Sequence, residues 1–258
     1  MPKVSKEVRS RIWSLETQIG KGILDGTHDP EKYADILQNF LEKGERTVTL
    51  ALANNILGMN KVISNWQAAR TAWLIEKIPD CDIYYHEETL RQCAEENAQG
   101  KADWRLVYCH GLSLREQREK RGTDRNKQPC FNKESNWWLE SKEDGWATYK
   151  PQAGYYLINF RDQFGSLNWN QQEQEISKLG KEYERCHEAI FSEAIFTIFM
   201  VNGERIAEDW YHWGVSLVSS GGRVRIGYFR AYGLGVDRGW YGYSYLGLRV
   251  ALVRKFDH

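Results

Sequence analysis

The sequence has no excess charge of either sign and no long apolar run. Lys and Arg together number 35, as do Asp and Glu, in a chain of 258 residues. A general attraction to nucleic acid or to an acidic membrane surface is therefore not expected. No stretch of 18 apolar residues occurs, and the charged N-terminus lacks the apolar core of a secretory signal. We therefore expect no membrane insertion.

Paired cysteine motifs are also absent. The chain has five cysteines, an odd number, and no C-x-x-C, which favours free thiols in a reducing compartment. Cys109-His110 and Cys186-His187 place zinc-type ligands side by side, but their spacing matches no familiar zinc pattern. The second pair is expected to lie on an amphipathic helix, and His212 to be a framework histidine. No metal or other cofactor is expected.

A further absence concerns four residue types near the C-terminus. From Tyr211 to Arg254 there is no Glu, Lys, Gln or Met. These types make up 54 of the 258 residues, so a window of 44 residues would hold about nine by chance. Strands disfavour Glu and Lys somewhat, which explains only part of the depletion.

The first third of the chain has helical patterns. Asp29 and Pro30 suit the start of a helix, and an apolar stripe follows from Tyr33 to Leu41. Ser64 begins a second pattern that carries Trp66 and two further apolar positions. We expect residues 1–80 to form a helical accessory region and residues 81–258 to form the main domain.

The main domain mixes both kinds of secondary structure, so the predicted fold class is α+β. The segment 115–129 holds six Arg or Lys residues among acidic ones and is interpreted as a solvated surface. Asn168 should cap one long helix that continues past Ile198 and ends at Gly203. Other predicted elements are a helix over 87–100 and strands over 103–110, 155–160, 215–218, 223–229 and 248–252.

The window from Gly227 to Gly247 is rich in tyrosine. It holds five of the fourteen tyrosines, with Arg, Asp, Ser and many glycines between them. Antigen-binding loops favour this composition, because tyrosine offers a large contact area at a low entropic cost. Tyr, Trp and Arg also dominate binding energies at many interfaces. The composition predicts a recognition surface.

The tail resembles a known family. Trp213 to Phe256 reads W-G-x-S-L-V-S-x-G-G-R-V…G-x-F…G-L-x-V…W…G…L-x-R-K-F, which is similar to the variable proteins of diversity-generating retroelements. The resemblance implies a C-type lectin-like fold of the formylglycine-generating-enzyme subtype, with an N-terminal helical extension and a variable region at about 223–250. In that family, a reverse transcriptase copies a template with errors at adenines into the 3′ end of the gene. Asparagine codons changed in this way never encode Glu, Lys, Gln, Met or Trp, which accounts for the missing residues.

The resemblance also implies a division between framework and display. Because such codons never yield Trp240, it should be fixed and buried. The residues expected to face inward are Phe229, Leu234, Val236, Trp240, Leu248 and Val250. The residues expected to form one outward ligand-binding surface are Tyr228, Arg230, Tyr232, Gly235, Asp237, Arg238, Gly239, Tyr241, Tyr243, Ser244 and Tyr245.

The implied function is non-enzymatic recognition of a protein or glycan, without nucleic acid as a partner. Display on a homo-oligomer would raise avidity, and the location would be the cytoplasm or a phage particle. Three alternatives stay open: a lectin-fold interaction module of fixed sequence, a formylglycine-generating-like enzyme and a metal-dependent lectin. The enzyme needs a close cysteine pair in the C-terminal half, which here has only Cys130 and Cys186. A calcium lectin needs more carboxylates than the few that follow Arg205.

Overall fold

A computed structural model describes residues 48–63, 83–244 and 247–257. The chain divides into two units, residues 1–47 and 48–258. The helices predicted after Asp29 and Ser64, and the display residue Tyr245, lie outside the described residues. No helix within the described ranges is long and apolar enough to cross a membrane.

The described part of the chain is a mixed α+β structure with six α-helices and eight strands. The helices are α1 (Leu50–Leu57), α2 (Glu87–Ala98), α3 (Leu114–Arg121), α4 (Asp144–Ala147), α5 (Trp169–Leu179) and α6 (Glu188–Asn202). The strands are β1 (Val62–Ile63), β2 (Trp104–Cys109), β3 (Gly154–Gln163), β4 (Tyr183–Arg185), β5 (Tyr211–Leu217), β6 (Arg223–Arg230), β7 (Gly233–Gly239) and β8 (Leu248–Arg254).

Local sequence explains where α5 and α6 begin and end. Asn168 forms a capping box with Gln171: its side chain accepts from the Gln171 amide at 2.9 Å, and the Gln171 side chain accepts from the Asn168 amide. Both bonds satisfy amides that the first helical turn leaves unpaired. Gly203 ends α6 in the left-handed conformation, with φ of 71°, as glycine does at helix ends.

The single long helix predicted from Asn168 to Gly203 is wrong. Gly180 has φ of 132° and ends α5. Tyr183–Arg185 then forms β4, which pairs with β8, a partner about 70 residues away that helical periodicity could not reveal. His187 precedes α6, and its Nδ1 accepts from the Ala189 amide at 3.1 Å. Cys186 and His187 therefore lie before a helix rather than on one.

The eight strands form one sheet in the order β1-β2-β3-β8-β5-β6-β7, with β4 pairing to β8 beside this path. The β2–β3, β3–β8, β5–β6 and β6–β7 pairs are antiparallel, whereas β5–β8 is parallel. The parallel β5–β8 pair thus joins strands β5, β6 and β7 to the rest of the sheet. The Tyr-rich window occupies the β5–β6–β7 part of the sheet.

Two hydrophobic cores lie on opposite faces of the central strands. Alternate residues of β2, such as Leu106 and Val107, enter different cores, so the whole strand is buried. One core packs α6 against β2, β3, β6, β7 and β8. The other packs α1 and α2 against the sheet and includes Val48 and Ala53. Val48, Ala53, Leu57 and Val62 therefore share this core with residues of β2, β3 and β8.

The basic side chains of α3 bind main-chain carbonyls of the segment that follows. Arg118 donates to the carbonyl of Ser135 at 2.8 Å, and Arg121 donates to that of Pro129 at 2.8 Å. Arg115 donates to the carbonyl of Glu140 at 2.9 Å. These arginines hold the segment 122–140 against the domain, so much of the basic character of 115–129 is used within the fold.

Candidate ligand-binding surface

The β5–β6–β7 part of the sheet and its two adjoining turns carry the described members of the predicted recognition set. On the inner face of this part, Val224, Ile226, Phe229, Leu234 and Val236 are buried in the α6 core. Alternation along strands produces this two-sided pattern. Burial of Phe229, Leu234, Val236, Leu248 and Val250 confirms that these residues face inward.

A bulge in β6 changes which side chains face outward. The β6–β7 register shifts between Gly227 and Arg230, and Tyr228 has φ of 48°, a conformation that is uncommon for a bulky residue. The Tyr228 amide donates to the carbonyl of Trp210 at 3.0 Å. The bulge turns Tyr228 toward the outer face while Phe229 enters the core, and bulges of this kind often re-aim side chains at functional sites.

Gly235 and Gly239 were expected to line the outward surface, but both are buried. A Cβ on Gly235 would stand 2.8 Å from the hydroxyl oxygen of Tyr211. A Cβ on Gly239 would stand 2.6 Å from Cη2 of Trp213. Because aromatic rings of β5 lie across β6 onto β7, both glycines are buried framework positions.

Three predicted residues gather at the turn between β6 and β7, which we name the tip patch: Tyr228, Arg230 and Tyr232. The Arg230 guanidinium lies 5.1 Å from the Tyr228 ring centroid and bonds to Asp209 at 2.8 Å. Hydrogen bonds to Asp209 and Tyr232 raise the pKa of Arg230. Tyr232 is 47% exposed. The patch combines an oriented cation with accessible aromatic area.

A second group lies in the turn after β7, which we name the loop patch: Trp240, Tyr241, Tyr243 and Ser244. Trp240 and Tyr241 stack with centroids 4.7 Å apart, and the Tyr243 amide donates to the carbonyl of Trp240 at 2.9 Å. The exposed fractions are 52% for Trp240, 37% for Tyr241 and 60% for Tyr243. The expectation that Trp240 is buried is therefore wrong: its ring leaves the sheet edge and covers Tyr241 instead of core.

The two patches lie at opposite ends of β7 rather than on one compact surface. The six steps from Gly233 to Gly239 correspond to about 20 Å of extended chain. Between the patches, Arg225 pairs with Asp237 directly across the strands, at 3.1 Å from Nε to Oδ2. Arg238 points away from this face, because its guanidinium lies 5.0 Å from the Trp137 ring centroid.

No protein-family model, curated protein or solved structure matches this chain. What the surface can bind therefore follows from its own chemistry. Its polar groups are ion pairs, amides and phenols that can orient a ligand by hydrogen bonds. Its aromatic rings offer stacking area at both ends.

Tyr211 joins the tip patch to the strand face. Its ring contacts the Tyr228 ring edge-on at 4.7 Å and lies 4.8 Å from the Arg225 guanidinium. Burial, assisted by the charge of Asp237, raises the pKa of Tyr211 to about 12. The phenol therefore stays protonated at neutral pH and remains a hydrogen-bond donor.

Sequence reasoning missed Trp169, which holds the loop patch in place. The Trp169 amide donates to the carbonyl of Tyr241 at 3.1 Å, and its indole Nε1 donates to the carbonyl of Gly214 at 3.0 Å. The guanidiniums of Arg185 and Arg223 lie 4.8 and 4.0 Å from its ring. Its position at the start of α5 was predicted, but its contact with a turn about 70 residues away carried no local signal.

The histidines and cysteines of the described residues lie within the framework. Within the described ranges, no three His, Cys, Asp or Glu side chains are grouped as a metal site would require. Cys93, Cys109, Cys130 and Cys186 are free and buried. His212 is buried beside Phe191, with Nε2 3.6 Å from Asp162. Burial lowers the pKa of His212, although Asp162 opposes the shift.

Proposed function

We propose that this protein recognises a ligand, a protein or a glycan, through the tip patch and the loop patch without catalysing a reaction. The scaffold would be a C-type lectin-like fold of the formylglycine-generating-enzyme subtype, and the patches would be diversified by a retroelement. The mixed α+β architecture, with one sheet covered by helices, is compatible with that scaffold. The protein would act in the cytoplasm or in a phage particle.

The opposite burial of neighbouring residues in one short window carries this proposal. Phe229 and Leu234 are fully buried, whereas Tyr232 and Tyr243 are 47% and 60% exposed. Single exposed apolar residues are ordinary, but clustered aromatic side chains are typical of interaction sites. The buried residues of this window pack in the core with α6, and the exposed rings are available to a partner.

The residue types at the exposed positions also favour diversification. The exposed Tyr232, Tyr241, Tyr243 and Ser244, and the half-buried Tyr228, all belong to types that adenine-directed changes of an asparagine codon produce. Side chains at such positions can change with little effect on stability, because surface substitutions usually alter it by less than about 0.5 kcal/mol. Trp240 would be an invariant contact residue, exposed at the centre of the loop patch.

The separation of the patches favours a ligand that bridges them or a ligand that meets one patch at a time. A single small patch binds weakly, so repeated display on a homo-oligomer would raise avidity. Rigid aromatic anchors lose little side-chain entropy on binding. The Arg230–Asp209 and Arg225–Asp237 pairs would set orientation and specificity more than affinity.

Sequencing the 3′ end of the gene across closely related cells tests this function. We expect adenine-linked variation at codons 228, 230, 232, 241, 243 and 244. Codons 227, 235 and 239 should be invariant, because a side chain at each would collide with neighbouring atoms. Uniform sequence at all of these codons would overturn diversification and favour an interaction module of fixed sequence.

A further inference from the structure

An open pocket of about 480 Å³ lies beside the tip patch, outside the C-terminal window. One wall is Tyr232, and the other walls come from residues 123–134, which we name the polar loop. Sequence patterns assigned no role to this loop beyond a charged surface. A pocket of this size can enclose a small ligand or one unit of a larger one.

The polar loop is fastened to the edge of β7, so the pocket is preformed. The Leu234 amide donates to the carbonyl of Cys130 at 2.8 Å, and the Asn132 amide donates to the carbonyl of Leu234 at 2.9 Å. Gly233 permits this approach, since a Cβ there would stand 2.6 Å from the carbonyl carbon of Phe131. The side chain of Gln128 also donates to the carbonyl of Ala231 at 2.9 Å. A binding site held in this way loses little entropy when it is filled.

The charges around the pocket balance. Its lining includes two carboxylates, Asp124 and Glu134, and two cations, Arg125 and Lys133. Among the described residues, the side chains of Arg125, Lys133 and Glu134 have no hydrogen-bond or ion-pair partner, so they are available to a ligand. Two carboxylates disfavour a phosphate or a nucleic acid, and polar walls disfavour an apolar ligand. A neutral ligand with many hydroxyl groups fits this balance.

The walls also combine flat aromatic area with amide groups. The exposed Tyr232 ring can pack against an apolar C–H face, and the amide of Asn126 can both donate and accept hydrogen bonds. A sugar ring presents such a C–H face beneath a rim of hydroxyl groups. We propose that this pocket binds a neutral saccharide unit, with Tyr232 against its C–H face and the polar loop bonded to its hydroxyls. The proposal rests on the recognition function above and names the ligand class for the tip patch.

Titration of the full-length, ¹⁵N-labelled protein with neutral methyl glycosides of glucose, galactose, mannose and N-acetylglucosamine tests this assignment. We expect saturable amide shifts in the polar loop and at Tyr232 for at least one glycoside. Tyr232→Ala should weaken that binding about tenfold, the factor that corresponds to a lost aromatic contact, and Asn126→Ala should weaken it as well. The matched control is Tyr149→Ala, which removes a tyrosine of similar exposure, 49% against 47% for Tyr232, outside both patches and should leave binding unchanged.

Three results would overturn the assignment. The first is the absence of saturable shifts with every glycoside, and the second is equal binding by Tyr232→Ala and the unmodified protein. The third is saturable binding of a neutral blocked tripeptide, N-acetyl-Gly-Ser-Asn-amide, without binding of any glycoside, which would assign the pocket to a protein partner. Each of these results leaves the codon-variation test untouched, so failure here is distinguishable from failure of the proposed function.

Discussion

The indole of Trp213 lies across Gly239, two strands away: a Cβ at Gly239 would stand 2.6 Å from Cη2 of Trp213. Tyr211, also on β5, covers Gly235 in the same way: a Cβ at Gly235 would stand 2.8 Å from the hydroxyl oxygen of Tyr211. These contacts make the glycines of the Tyr-rich window part of the framework. The window is therefore a mixture of fixed packing positions and exposed ones, even within a single strand.

Gly239→Ala and Gly235→Ala should each lower the free energy of unfolding by about 1–3 kcal/mol, the usual cost of overpacking. The cause is displacement of the Trp213 or Tyr211 ring. Urea denaturation measures the effect. Gly145→Ala is the matched control, because no atom lies within 4 Å of a Cβ at Gly145. Equal stability of Gly239→Ala and Gly145→Ala would contradict the packing described here.

Trp240→Ala should change the free energy of unfolding by less than about 1 kcal/mol, because half of the side chain is exposed. Phe229→Ala, a truncation in the same window, should cost about 3–5 kcal/mol, since the ring is fully buried between Phe196 and Phe199. Thermal and urea denaturation of both variants give the comparison. A large loss of stability in Trp240→Ala would show that the Trp240 ring is part of the packing that stabilises the fold.

Asp237→Asn should lower the pKa of Tyr211 from its value of about 12. Removing the carboxylate removes a charge that opposes ionisation, and it leaves the Arg225 guanidinium free to stabilise the phenolate. Ultraviolet difference titration against Tyr211→Phe isolates the relevant phenol. An unchanged pKa in Asp237→Asn would show that the two side chains do not interact across the strands.

His212 should make stability depend on pH in mildly acidic solution. Burial and Arg249 lower its folded pKa, Asp162 raises it, and Phe191 packs on the ring. The unfolded histidine takes up a proton near pH 6.5, about its ordinary pKa, whereas the folded one stays neutral. The unfolded state then binds more protons, so the free energy of unfolding falls as pH drops below about 6.5, until the lower folded pKa is reached.

Urea denaturation at stepped pH values measures this effect. His212→Gln should flatten the decline between about pH 6.5 and the lower folded pKa. Burial opposes ionisation of Asp162, but His212 and Arg249 outweigh it and lower the pKa of its carboxyl group. Protonation of Asp162 therefore reduces stability only in more acidic solution. An identical pH profile for His212→Gln would assign the decline to other groups.

Local patterns predicted most of the elements. The helix over 87–98 and the strands β2, β3, β6 and β8 lie close to their expected positions, because caps and alternation are encoded within a few residues. β4 was missed, since Tyr183 also fits a helical period and only its pairing with β8 makes it a strand. Short strands of this kind depend on distant partners.

The candidate surface was predicted in composition but not in geometry. Inward burial of Phe229 and Leu234 was expected from the family resemblance, and both residues are buried. The burial of Gly235 and Gly239 was not expected, because it depends on β5 rings that cross β6 in a register the sequence does not reveal. The glycines themselves were a signal, as glycine inside a strand often marks a close approach. The position of the polar loop at a pocket was missed, because the loop reaches that position through main-chain pairing with Leu234 of β7.

The central claim is that the exposed aromatic side chains are dispensable for folding, and one measurement tests it most directly. The combined variant Tyr232→Ala, Trp240→Ala, Tyr241→Ala and Tyr243→Ala removes the four most exposed rings of the two patches. Urea denaturation should show a cooperative transition with the free energy of unfolding within about 2 kcal/mol of the unmodified protein. Loss of the cooperative transition, or destabilisation as large as that of Phe229→Ala, would contradict the account.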